Sequence, residues 1–221
     1  MFRRAALFII GFGPGIGLGI ARAFGRSGYS LGLISRRTTA HRDLAHGLVQ
    51  AGSTARLFQA DAARPESLKR ALGEARAMFG GEPEVLVYNA AAAAQGPASA
   101  LSPEGLAANL RVDVVGALTA AQEVLPGMRR RGSGSVLFTG GGLALNPAVA
   151  MSSLSIGKAA LRNLALVLHK EAAGSGVKVG LVSVMSPVAP DRPLTADRVG
   201  ATFLEMHRRP SPDFPAEIQL S

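Results

Sequence analysis

The chain contains no cysteine, which excludes disulfides, thiolate metal sites and cysteine nucleophiles. Its four histidines, His41, His46, His169 and His207, lack metal-ligand spacing such as H-E-x-x-H and read as ordinary surface or helix residues. Aromatic residues are 5% of the chain, and no aromatic platform or nucleic-acid motif accompanies its formal charge of +9. The basic residues are scattered along predicted helices. Their one run, Arg129-Arg130-Arg131, falls where a long helix should end and where cations suit the helix dipole. A phosphate-bearing cofactor is a further use for the excess. No uninterrupted apolar segment approaches the roughly 18–20 residues of a membrane span. The opening Met1-Phe2-Arg3-Arg4, an apolar stretch and Ala21-Arg22-Ala23 imitate a secretory signal, but Gly11, Gly13, Gly15, Gly17 and Gly19 interrupt the apolar part. The expectation is a soluble, cytoplasmic protein with no nucleic-acid or membrane partner.

What is abundant points one way. Of 221 residues, 48% are hydrophobic and 27 are glycine, which suits one filled core with many close backbone approaches. Strand-length apolar runs alternate with segments of helical period throughout. Ala5–Gly11, Ser30–Ser35, Thr54–Ala60, Glu84–Ala90, Ser135–Gly140, Val177–Val184 and Glu217–Leu220 read as strands. Between them, Ile16–Ser27, a segment ending near Ala51, Pro65–Phe79, Ser102–Arg130, Ser152–Ala173 and Ala196–His207 read as helices. Such alternation predicts an α/β fold: a Rossmann-like, doubly wound parallel sheet of about seven strands with helices on both faces. A single dinucleotide-binding domain over residues 1–221 is expected, with its ligand beyond the strand C-termini at the topological switch point.

The first predicted strand runs into Gly11-Phe12-Gly13-Pro14-Gly15-Ile16-Gly17, which opens the first helix. Unpaired amides and the positive helix end there suit a pyrophosphate, and glycine lets the backbone approach it closely. At the end of the second strand stand Ser35-Arg36-Arg37, with no acid before Asp43. An acid there would bind ribose hydroxyls, whereas arginine pairs with a 2′-phosphate through two charge-assisted hydrogen bonds. NADP(H) is therefore favoured over NAD(H); the alternative is that both arginines simply face solvent at a strand–helix corner.

These pieces, in this order, resemble the short-chain dehydrogenase/reductase family over essentially the whole chain. Gly11-x-x-x-Gly15-Ile16-Gly17 is similar to its T-G-x-x-x-G-I-G, with Ile10 for threonine. Asp61-Ala62 resembles its adenine-contacting element, and Asn89-Ala90-Ala91 its N-A-G. Lys158, in Ser155-Ile156-Gly157-Lys158-Ala159-Ala160, resembles the end of Y-x-x-S-K-a-a. The resemblance implies cofactor binding by Gly11, Gly13, Gly15, Ile16, Gly17, Arg36, Arg37, Asp61, Ala62, Asn89, Ala90 and Lys158.

It also implies a catalytic set that this chain has largely lost. The family's tyrosine exchanges the proton on the substrate oxygen, aided by a lysine four residues later on the same helix face. A serine polarises the carbonyl and an asparagine supports a relay water. Here the lysine remains as Lys158, while the tyrosine position is Leu154, the serine position falls at or beside Gly141, and the asparagine position is Asp113. Ser153 and Ser155 flank Leu154, but an alkoxyl proton is a poor substitute for a phenol near pKa ~10. Thr139 sits early in the motif, and Tyr88, one of two tyrosines with Tyr29, is expected to pack rather than catalyse. Oxidoreductase activity is thus expected to be weak or absent, the alternative being a cofactor sensor or regulatory subunit.

The family's P-G element becomes Ser186-Pro187-Val188, and its substrate lid is shortened to Ala189–Thr195. The two long helices predict a homodimer or homotetramer. Ala107, Ala108, Ala117, Ala120 and Ala121 would permit close helix approach across the interface.

Overall fold

The computed structural model of the chain describes residues 5–221; Met1-Phe2-Arg3-Arg4, the start of the signal-like segment, lies outside the described residues. The strands are β1 (Ala6–Ile10), β2 (Ser30–Ser35), β3 (Ala55–Gln59), β4 (Val85–Tyr88), β5 (Gly134–Gly141), β6 (Val177–Val184) and β7 (Glu217–Leu220). The helices are α1 (Ile16–Arg26), α2 (Arg42–Gln50), α3 (Pro65–Phe79), α4 (Pro103–Leu110), α5 (Gly116–Arg131), α6 (Ser152–Ala172) and α7 (Ala196–Arg208). The strands form one sheet in the order β3-β2-β1-β4-β5-β6-β7, every neighbouring pair parallel. The expected Rossmann-like architecture is what forms.

Side-chain alternation explains why both faces are covered. In β1, Phe8 and Ile10 join Leu72, Ala121 and Leu161 of α3, α5 and α6 in one core. Leu7 and Ile9 join Ile20, Phe24 and Phe203 of α1 and α7 in the other. Successive strand residues point to opposite faces, so an uninterrupted apolar strand needs a helical layer on each side. Each fully buried large aliphatic or aromatic side chain contributes about 1.5–3 kcal/mol. At the far edge, Arg162 of α6 donates two hydrogen bonds to Glu217 Oε2 at 2.9 and 2.7 Å, tying β7 to the helix layer.

The strand order reverses between β1 and β4, so the connections leaving their C-terminal ends diverge to opposite faces and open a crevice. Gly11, Asn89 and Ala90, predicted inside strands, lie just beyond strand ends and line the crevice. The largest departure from the sequence reading concerns the long helix predicted over Ser102–Arg130. It is interrupted by a π-helical turn at Arg111–Val115, between α4 and α5. Periodicity cannot reveal one residue inserted into a helical turn, yet the insertion turns Asp113 inward. A second correction concerns the alanines assigned to an intermolecular face. Ala117, Ala120 and Ala121 are fully buried within the chain's own core, while Ala107 and Ala108 are exposed.

Candidate nucleotide site and altered catalytic centre

At the crevice, Gly11 has φ +84°, and a Cβ there would lie 2.4 Å from the amide nitrogen of Ala90. Only glycine allows the two strand ends to approach so closely. Gly11 and Phe12 both donate to the carbonyl of Ile34, and Asn89 Nδ2 donates to the Gly11 carbonyl at 2.9 Å. The turn is thus held from both neighbouring strands. At the start of α1, Gly15 stands at the N-cap with no side-chain cap, and no acid occupies the first turn. A Cβ on Gly15 would meet nothing within 4 Å. Among the described residues, the amides of Ile16 and Gly17 have no backbone acceptor. This is open space beside free donors and a positive helix end, the surroundings a pyrophosphate requires.

A cleft of about 310 Å³ extends from this loop. Gly11 and Gly13 line one wall, Arg36 and Arg37 the end of β2, Asp61 and Ala62 the end of β3, and Asn89 and Ala90 the floor. Both arginines are exposed at the rim. Asp61 Oδ1 accepts from the Ala63 amide at 3.0 Å, and its own amide donates to Ser67 Oγ at 3.1 Å, which sets the turn into α3. Gly15, Ile16, Gly17 and Lys158 do not line the cleft itself: the first three form the N-terminus of α1, and Lys158 donates to the Thr139 carbonyl. Sequence reasoning misses His41, which reads as an ordinary surface or helix residue but is buried and lines this cleft.

A hydrogen-bond chain links the floor to Lys158. Thr139 Oγ1 donates to Asn89 Oδ1 at 2.9 Å, and Lys158 Nζ donates to the Thr139 carbonyl at 2.7 Å. Thr139 therefore acts through position, early in its motif, rather than as an exposed donor. Of the three consecutive glycines that follow, a Cβ on Gly140 would strike Ser183 Oγ at 2.4 Å, and one on Gly142 would face Met185. A Cβ on Gly141 would face Lys158, 3.9 Å from its Cδ. Of the three, only Gly141 would present an added side chain to the lysine stem, beside the Val184 carbonyl oxygen at 3.7 Å.

Leu154, partly buried, precedes Lys158 by one helical turn and brings no proton. Its neighbours are already committed. Ser153 Oγ accepts from the Ala94 amide and Asn109 Nδ2 at 2.8 and 3.0 Å, and Ser155 Oγ donates to the Met151 carbonyl at 3.0 Å. Both tyrosines are engaged elsewhere. The Tyr88 hydroxyl donates to the Val112 carbonyl and is fully buried, its pKa raised by burial and then by the Asp113 and Asp61 charges. Tyr29 shares a hydrogen bond with His207 Nε2 at 2.8 Å.

Asp113 is the unusual member of the centre. The π turn holds it 1% exposed, with Oδ1 accepting from the Ala92 amide at 2.7 Å and Oδ2 without a hydrogen-bond partner. Oδ2 lies against α6 where Gly157 leaves room; a Cβ there would approach it to 2.1 Å. Burial pushes the carboxyl up to about 6, against the Ala92 hydrogen bond and the Lys158 charge. Burial likewise pulls the Lys158 ammonium down to about 8, opposed by Asp113. The folded-state pKa of Asp113 lies above its unfolded value, so its destabilising effect appears as pH rises through this interval and is complete above it. Asp113→Asn is therefore expected to raise stability by about 1 kcal/mol at pH 8, since loss of the Lys158 attraction offsets part of the relieved burial. Urea unfolding at pH 8 and pH 4.5 checks this, the gain shrinking at the lower pH.

The family model described as short chain dehydrogenase matches residues 5–188. The 2,3-dihydro-2,3-dihydroxybenzoate dehydrogenase of Escherichia coli (strain K12) is 29% identical over 178 residues, 80% of this chain and 67% of that enzyme. The peroxisomal 2,4-dienoyl-CoA reductase of Arabidopsis thaliana is 30% identical over 144 residues, 65% of this chain. The match spans only 48% of that reductase, so the chain corresponds to part of its length. Among solved structures, a metagenomic short-chain oxidoreductase in complex with NADP superposes with a TM-score of 0.89, at 21% identity, covering 99% of this chain and 98% of that one. Matched by that family model over most of its length, this chain belongs to the short-chain dehydrogenase family.

Proposed function

We propose that the chain is a single nucleotide-binding unit that takes NADP(H) in preference to NAD(H) and has lost most or all of the hydride-transfer activity of its relatives. The observation that carries this reading is the pairing of an open phosphate cradle with a centre that lacks its proton donor. Gly15 leaves free space at the α1 terminus, whereas Leu154 and Gly141 bring neither a phenol nor a hydroxyl to Lys158. Gly11, Gly13, Gly15, Ile16 and Gly17 would hold the pyrophosphate, Arg36 and Arg37 the 2′-phosphate, Asp61 and Ala62 the adenine, and Asn89, Ala90 and Lys158 the nicotinamide half. A bound reduced nicotinamide would supply hydride. The chain's own residues would orient the nucleotide but deliver no efficient proton to a substrate oxygen. That the structural neighbour holds NADP supports the cofactor class.

Titration with NADPH and NADH, followed by nicotinamide fluorescence, tests the reading. The expected result is saturable binding of both, tighter for NADPH, with Arg36→Ala/Arg37→Ala removing the difference by about 2 kcal/mol or more. No binding of either nucleotide refutes the proposal.

A second reading, a regulatory or structural subunit of an oligomer of this chain or its relatives, is favoured by exposed apolar side chains near and along α5 and α6. Val115, Ile156 and Val167 are 42%, 38% and 46% exposed. Under this reading the two helices pair with another copy to form a homodimer or homotetramer. Nucleotide binding is common to both readings; measurable turnover of carbonyl compounds by the native chain favours the first, and an assembly of two or four copies in solution, read by light scattering, with no turnover favours the second.

A further inference from the structure

His41 stands at the N-cap of α2, between the phosphate loop and the end of β2, and is only 9% exposed. Ser35 Oγ and His41 Nδ1 share a 2.9 Å hydrogen bond, and the Arg37 amide donates to the same hydroxyl at 3.3 Å. The ring meets Phe12 edge-on with centroids 5.9 Å apart. Its opposite edge faces the phosphate loop: a Cβ on Gly13 would lie 3.7 Å from Nε2 and 3.6 Å from Cε1. Among the described residues Nε2 has no hydrogen-bond partner. One ring nitrogen is thus fixed by the protein. The other is turned toward the wall of the cleft that Gly13, Arg36 and Arg37 also line.

We propose that His41 is a specificity-determining residue of the nucleotide site, taking up a proton at Nε2 when a ribose 2′-phosphate docks between it and Arg36–Arg37. This rests on the NADP(H) reading above. The proton comes from solvent, and no covalent bond forms or breaks.

The charges around the ring explain why uptake should accompany binding. Arg36 and Arg37 flank it on the β2–α2 connection, Arg42 and Asp43 follow it on α2, and Asp61 lines the cleft at the end of β3. The loop from Phe12 to Ile16 contributes no titratable side chain. Burial, then the Arg37 charge, lower the His41 pKa, so the unliganded chain holds the ring neutral at pH 7. A 2′-phosphomonoester brings about −1.5 to −2 charge at that pH and neutralises the arginines, which reverses the second cause and rewards the imidazolium. The serine bond at Nδ1 keeps the ring oriented in either state.

The test uses 2′,5′-ADP and 5′-AMP as probes, with the wild-type chain and His41→Asn. Asparagine can retain a hydrogen bond to Ser35 and suits a helix N-cap, but it carries no titratable nitrogen. Calorimetry at pH 7 in two buffers of different ionisation enthalpy reads the protons taken up. The expected result is net uptake by wild type with 2′,5′-ADP, little with 5′-AMP, and none by His41→Asn. The phosphate's own titration works in the opposite sense, because nearby arginines make it release protons on binding. Between pH 8.5 and 7, the wild-type preference for 2′,5′-ADP should rise by up to about tenfold per pH unit, while that of the variant stays flat.

Tight 2′,5′-ADP binding without uptake, or equal uptake in both proteins, overturns the role of His41 and leaves the cofactor reading standing. Failure of 2′,5′-ADP to bind more tightly than 5′-AMP at any pH overturns that reading and this one together. Should His41→Asn not fold, NMR titration of the wild-type His41 ring with 2′,5′-ADP decides the matter. Movement to imidazolium shifts supports the proposal, and a ring that stays neutral overturns it.

Discussion

Leu154→Tyr combined with Gly141→Ser is expected to reduce carbonyl compounds with NADPH at least about 10³-fold faster than the native chain. A positioned general acid contributes ~10²–10⁴, and a donor aimed at the developing oxyanion ~10²–10³. Their effects combine only if both meet the same substrate oxygen. The structure favours that: Leu154 lies one helical turn before Lys158, and the Gly141 Cβ direction faces the lysine side chain with no other atom nearer than 3.7 Å. The lysine charge would favour the phenolate of an introduced tyrosine, as the family's chemistry needs. NADPH oxidation is measured against a panel of ketones, aldehydes and cyclic diol-derived ketones. Adding Lys158→Ala to the double variant should abolish the gain. Equal, measurable turnover by native and double-variant proteins would mean that the native centre has a proton donor other than the family's. No gain and no native turnover would favour the regulatory reading, with a centre no longer complementary to any substrate.

A second large effect concerns acid stability and arises far from the nucleotide cleft. His207 of α7 is buried between Tyr29, bonded to Nε2 at 2.8 Å, and Ser135, bonded to Nδ1 at 2.8 Å. The Lys178 ammonium donates to the His207 carbonyl, adding a cation beside the ring. Burial first, then the Lys178 and Arg208 charges, bring its pKa down to about 4 from an ordinary 6.5. The folded state therefore binds the proton more weakly than the unfolded one. The stability held by neutral His207 is fully present above pH 6.5 and declines as pH falls through this interval toward 4. The loss should approach about 3 kcal/mol, a substantial part of the 5–15 kcal/mol that holds a typical domain together. Urea midpoints at pH 7, 5.5 and 4.5 check this against His207→Gln. The variant should be less stable at pH 7 but show a shallower dependence over this range. Parallel curves for the two proteins would show that other groups control the acid transition.

Much of the candidate site is legible in the sequence because it depends on chain order. In a parallel sheet every strand ends on the same side, so Gly11, Arg36, Asp61 and Asn89, each at the end of one of the first four strands, must converge. Leu154 is equally readable, since four residues along a helix bring it to the same face as Lys158. His41 is not. Its place follows from the path of the β2–α2 connection, which folds back over the phosphate loop, and a lone histidine carries no spacing that announces this. Nor can three adjacent glycines reveal which one faces the lysine; the pleat at the end of β5 decides for Gly141. The alanines of α5 mislead for a related reason. Alanine suits a sheet-facing surface and a helix–helix contact equally well, so only packing distinguishes them.

The sequence by itself determined the layered parallel sheet, the glycine-rich turn that opens α1, and Leu154 one helical turn before Lys158, because these follow from periodicity, strand order and residue identity. The tertiary structure alone decided that a π turn buries Asp113 against Gly157 and that His41 joins the nucleotide wall. It also decided that His207 is enclosed by two hydroxyls. Each depends on contacts between segments distant along the chain or on a local break in helical period, and neither leaves a repeat in the sequence.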